Sequence, residues 1–89
     1  MAQALIALPQ ALTMGQARQV LAGLESAIAQ SAEPRIDAST LVTLDSAAIA
    51  VLLQCRRIAQ AAGKSLVIAN PPPKLTELSR LYGVEAFLG

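Results

Sequence analysis

The chain has 89 residues, 54% of them hydrophobic, with a net charge of +1, one cysteine and no histidine. That length predicts one small domain over residues 1–89. The near-neutral charge gives no general pull towards nucleic acid or anionic membrane. The missing histidine removes the usual general base and the commonest metal ligand, and Cys55 alone forms neither an intrachain disulfide nor a multi-cysteine metal site. No enzyme activity, metal or cofactor is expected.

Tyr82 and Phe87 are the only aromatics, too few for a base-stacking platform, so the core must come from Leu, Ile, Val and Ala. Such a core is small, and a binding partner would add stability. No basic, then apolar leader opens the chain, and the longest unbroken apolar run, Ala47 to Leu53, is far short of a membrane span. A soluble cytoplasmic protein is expected.

In chain order, 4–8 predicts a short buried strand stopped by Pro9. Thr13 and Gln16 fit a capping box, with Thr13 as N-cap, ahead of a helix whose apolar face is Ala17, Val20, Leu21, Leu24, Ala27 and Ile28. Residues 35–40 predict a second strand. Residues 46–62 predict a second helix with an inward stripe of Ala48, Val51, Leu52, Cys55, Ile58, Ala59 and Ala62, closed by Gly63 at the left-handed C′ position. Residues 65–69 are the clearest strand. Pro71 to Pro73 lead into a third helix whose inner face is Leu75, Leu78, Leu81 and Tyr82, and which Gly83 ends; Val84, Phe87 and Leu88 close the bottom of the core. Alternating strands and helices predict an α/β fold with right-handed crossovers.

Asp45-Ser46 opens the second helix, where unpaired backbone N–H groups and the positive dipole end favour anionic oxygen. Two readings are open for this pair. It is a plain N-cap, or Ser46 is a phosphorylatable or partner-contacting hydroxyl. The lack of histidine, and of a lysine close in sequence, argues against a serine nucleophile. With the core stripe inward, Ser46, Ile49, Leu53 and Arg57 share another face, with Arg56 and Gln60 at its edge. Either a neighbouring helix covers that face or it is a docking patch for a protein. Cys55 reads as a small buried hydrophobe. Asp37 and Asp45 form at most a weak candidate carboxylate pair.

The run from Ile36 to Leu81 resembles the STAS domain family, named for sulfate transporters and anti-sigma factor antagonists. The matching residues are Leu44-Asp45-Ser46-Ala47-Ala48 with the apolar helix after it, Gly63-Lys64-Ser65-Leu66-Val67-Ile68, and the leucine-rich segment Leu75 to Gly83. The ending Leu78-Ser79-Arg80-Leu81-Tyr82-Gly83-Val84 is most similar to the MlaB-like branch. The resemblance implies a STAS-like α/β fold, a small mixed sheet packed against helices. Only one strand is visible before the first helix where the family has two, so the first edge strand is expected to be missing. Also implied is a non-catalytic regulatory subunit of a phospholipid-transport ABC complex that maintains outer-membrane lipid asymmetry. Such a subunit would be held at the inner face of the inner membrane by an MlaF-like ATPase subunit, with the permease and substrate-binding subunits in the same complex. The implied partner-binding residues are Asp45, Ser46, Ala47, Ile49, Leu53, Arg56 and Arg57. The alternative is an anti-sigma factor antagonist switched by phosphorylation of Ser46.

Overall fold

The computed structural model describes residues 5–84 and Ala86. The elements run β1 (Leu5–Ala7), β2 (Ala11–Leu12), α1 (Ala17–Gln30), β3 (Arg35–Asp37), β4 (Thr43–Leu44), α2 (Ser46–Ala61), β5 (Val67–Ala69) and α3 (Pro73–Leu81). The expected alternation holds for β1, β3 and β5 with the three helices, and β2 and β4 are additional short strands. Residue 4 of the first strand, and the contribution of Phe87 and Leu88 to the core, lie outside the described residues.

β1, β3 and β5 form a three-stranded sheet in that order, and β2 pairs with β4 in a separate two-residue ladder. Every pairing among the described residues is parallel, because a helix carries the chain from β1 to β3 and from β3 to β5 and returns it in the same direction. Among the described residues no strand pairs with the outer side of β1, while two strands precede α1 where the sequence showed one. The second strand before α1, β2, was not legible in advance. It adds nothing to the main sheet.

Strand alternation decides which side is buried. Ile6, Ile36 and Ile68 are in register and point into the core, with Ile36 fully buried. Leu5, Arg35 and Val67 form the next row, on the opposite face, where Leu5 and Val67 are exposed. The inward row meets Leu24 and Ile28 of α1, Ala48, Val51, Leu52, Cys55 and Ala59 of α2, and Leu75 of α3 in one cluster. Ile58 is half-buried and Ala62 is exposed.

The caps explain the element ends. Thr13 does not cap α1 as predicted, because the helix begins at Ala17. Only the return arm of the expected box forms: the Thr13 N–H donates to Gln16 Oε1 at 2.9 Å, and the Thr13 hydroxyl donates to the same oxygen at 2.6 Å. β3 stops at Asp37, three residues before the predicted end, since the Asp37 carboxylate accepts the Ser39 N–H and turns the chain. Gly63 and Gly83, with φ of 72° and 70°, hold the left-handed position after α2 and α3. At α2, Lys64 N–H donates to Ala59 O and Gly63 N–H to Gln60 O; at α3, Val84 N–H donates to Ser79 O and Gly83 N–H to Arg80 O. Both are Schellman closures.

α3 corrects the sequence reading in one respect. Leu75 is buried and Leu78 half-buried, but Leu81 and Tyr82 are exposed. Leu81 is rotated about 240° from Leu75 at 100° per residue, and Tyr82 sits at the C-cap where the chain turns away. The inner place goes to Ser79, whose buried hydroxyl donates to Leu75 O at 2.8 Å.

Lys64 joins two helix ends. Its Nζ donates to Ile28 O at 2.9 Å and Ala29 O at 3.0 Å, satisfying carbonyls at the negative end of α1. Lys64→Met keeps the stem and removes the charge. Urea unfolding should show a loss of about 1 kcal/mol.

Candidate functional site

The start of α2 is built by Asp45. Its Oδ1 accepts the Ala47 N–H at 2.8 Å, and its backbone carbonyl accepts the Ala48 N–H at 3.0 Å. A longer bond of 3.4 Å from the Met14 N–H to Oδ2 ties the loop before α1 to the same cap. Of the two residues the sequence offered as N-cap, Asp45 takes the role. Ser46 is the first helical residue, and it is exposed.

One helical turn later the sequence reading needs correction. Ile49 is 4% exposed and belongs to the core cluster, so it offers nothing to a partner. It lies three residues before Leu52, on the flank of the buried stripe, and is drawn in with it. The outward row is instead Ser46, Ala50, Leu53 and Arg57, spaced four, three and four residues apart. Ser46, Ala50 and Arg57 are exposed. Leu53 is half-buried, with part of its side chain packed on the core.

Two open grooves flank this ridge. Towards α1, Ala17, Arg18, Leu21, Ala47, Ala50 and Val51 line about 290 Å3. On the other side, Leu53, Arg56, Arg57, Gln60 and Val84 line a second of about 290 Å3. Of the expected site residues, the fold thus brings Asp45, Ser46, Ala47, Leu53, Arg56 and Arg57 along one side of α2 and withholds Ile49. Two exposed apolar side chains stand in the loops that lead to this end, Met14 (79% exposed) and Val42 (69%). Met14 is tied there by Asp45, and Val42 donates its N–H to Gln10 O. Neither was singled out in the sequence, where a lone apolar residue in a loop carries no periodic signal.

Asp37 and Asp45 do not act as a pair. Asp37 Oδ1 accepts from the Ser39 N–H (3.1 Å) and Asn70 Nδ2 (3.2 Å), and Oδ2 from the Ser39 hydroxyl (3.0 Å). These bonds latch the end of β3 to the residue after β5. The Ser39 N–H above all, then the Asn70 and Ser39 side chains and the Arg35 charge, hold the Asp37 carboxyl below its ordinary value of 3.8. A depressed folded value means the latch contributes fully above the unfolded value and loses its contribution as pH falls through the folded one. In acid titrations of thermal stability below about pH 4, Asp37→Asn should flatten the decline that the wild type shows.

Cys55 is fully buried, and burial, then the Glu25 charge, pushes its thiol up to about 11. It is a small hydrophobe rather than a nucleophile. No cluster of three or more His, Cys, Asp or Glu among the described residues is placed to hold a metal ion. Within the described residues no helix is long and apolar enough to cross a membrane.

The helix N-terminus thus follows a strand and a small polar loop, with an exposed row of side chains running on from it. The family described as "Mlab, STAS domain" matches residues 2–89. The chain belongs to the MlaB-like STAS domain family. Its fold is also that of the anti-sigma factor antagonist SpoIIAA in its unphosphorylated form, with a TM-score of 0.73 and 23% sequence identity, over 96% of this chain and 76% of that one. No curated protein matches the chain. STAS domains are protein-interaction domains, typically regulatory rather than catalytic. In this MlaB-like domain the aspartate of the motif is committed to the helix cap, and the serine beside it is left on the surface.

Proposed function

We propose that this STAS domain is the non-catalytic regulatory and assembly subunit of a phospholipid-transport ABC transporter. It docks an MlaF-like ATPase subunit through the exposed ridge of α2. The contact holds it at the inner face of the inner membrane beside the permease and substrate-binding subunits, in a complex that maintains outer-membrane lipid asymmetry. The observation that carries this reading is the ridge itself: Ser46, Ala50 and Leu53 lie in a row between two open grooves, with the cap supplied by Asp45. The match to the MlaB-like family over residues 2–89 supports the choice of partner.

The test is reconstitution with the MlaF-like ATPase subunit of the same genome. A stoichiometric complex with raised ATP hydrolysis is expected. Absence of a complex contradicts the proposal. Stoichiometric phosphate on Ser46 after incubation with candidate kinases, read by intact mass, favours the anti-sigma antagonist reading, for which the exposed Ser46 hydroxyl speaks.

A further inference from the structure

Among the described residues, arginines flank the ridge on both sides. α2 contains no acidic residue along Ser46–Ala61 and carries Arg56 and Arg57. Across the α1-side groove stands Arg18, so guanidinium groups border both sides of the row formed by Ser46, Ala50 and Leu53. The carboxylate at this end, Asp45, is occupied by the Ala47 and Met14 N–H groups. α1 has a single acid, Glu25, seven residues beyond Arg18. The whole chain is only +1, so this positive border is a local concentration rather than a reflection of overall charge.

Arg18 and Arg57 are both exposed, and among the described residues no hydrogen bond or ion pair claims either guanidinium. Between them the floor is small and apolar. A phosphate-bearing ligand is a poor fit, because Arg18 and the Arg56–Arg57 pair are divided by the apolar ridge instead of converging on one point. We infer that the occupant is an amphipathic segment of the ATPase subunit with an apolar centre and a carboxylate on each side, one for Arg18 and one for Arg57. This rests on the docking reading above and adds the partner's chemistry to it. Opposite charges at the rim steer encounter and fix register, while the apolar centre supplies the buried area.

The experiment measures binding of the full chain to the MlaF-like ATPase subunit, for Arg18→Glu, Arg57→Glu and the double variant, over a range of salt concentrations. Both side chains are exposed, so melting temperatures should not change. Each reversal is expected to weaken binding by about tenfold, chiefly through slower association, and wild-type affinity should fall as salt rises. Arg18→Lys and Arg57→Lys should retain most of the affinity. If the reversals bind like wild type and salt has no effect, while neutral bulk at Ser46 and Ala50 abolishes the complex, docking stands and the acidic partner is overturned. If neither set of variants matters, both readings fall. A salt-sensitive homodimer of the isolated chain, dissociated by Arg18→Glu, assigns the ridge to a second copy and also overturns the inference.

Discussion

Ser46→Tyr and Ala50→Tyr should each lower affinity for the MlaF-like ATPase subunit at least tenfold, about 1.4 kcal/mol, with the melting temperature unchanged. Both positions are exposed and on the outward row of α2, so a ring there meets no neighbour in the free domain. In the complex it holds the two surfaces apart where small side chains otherwise allow close approach. Truncation to alanine would be uninformative at a site already lined by Ala47 and Ala50. Added bulk is the sharper probe, and tyrosine brings no charge that would confuse a steric effect with an electrostatic one. Leu53→Asp is a weaker choice, since the part of Leu53 packed on the core would lose stability along with affinity. Glu33→Tyr, exposed in the connection between α1 and β3 and outside both ridge grooves, is the control and should bind like wild type. Calorimetric titration of each variant against the ATPase subunit gives the comparison.

The largest stability effect should come from Ile36→Ala. Ile36 is fully buried in the central strand, with Ile6 and Ile68 in register on either side. Removing its outer carbons loses their burial and leaves a gap that two neighbouring strands cannot close without breaking the ladder. The expected cost is about 3 kcal/mol, a fall in melting temperature of roughly 12–24 °C for a domain of this size. Total stability of a small domain is only about 5–15 kcal/mol, and this core holds no buried aromatic among the described residues to offset the loss. Ile36→Val, which removes one carbon, should cost about 1 kcal/mol. Differential scanning calorimetry of the two variants separates a cavity effect from a general intolerance of substitution. Folded Ile36→Val should bind the ATPase subunit normally, because the site lies on the outward side of α2.

α1 was legible in the sequence from its apolar spacing, and α2 and α3 because two independent signals agree at each. Apolar residues recur at helical spacing, and glycines stand where left-handed backbone is needed, at Gly63 and Gly83. The main sheet was legible from short apolar runs between those helices. The pairing of Ala11–Leu12 with Thr43–Leu44 was not, since two residues give no alternation to read. Ile49 marks a different limit. α2 carries apolar side chains around most of its circumference, so periodicity alone leaves open which flank the rest of the molecule covers. The structure places the boundary between Ile49 and Ala50. Alanine drew no attention in a chain so rich in it, yet Ala50 supplies the outward position that Ile49 was expected to hold. Asp45 and Ser46 were found together because a helix start constrains both, but only three-dimensional geometry shows that Asp45 caps and Ser46 faces outward.

Hydrogen exchange of this domain, alone and bound to the MlaF-like ATPase subunit, tests the docking surface most directly. Protection should appear at the start and along the outward side of α2, from Ser46 to Arg57, and in the loops carrying Met14 and Val42. Protection confined to the outer side of β1 or to the exposed end of α3 at Leu81 and Tyr82, with α2 unchanged, would contradict a partner seated on the α2 ridge.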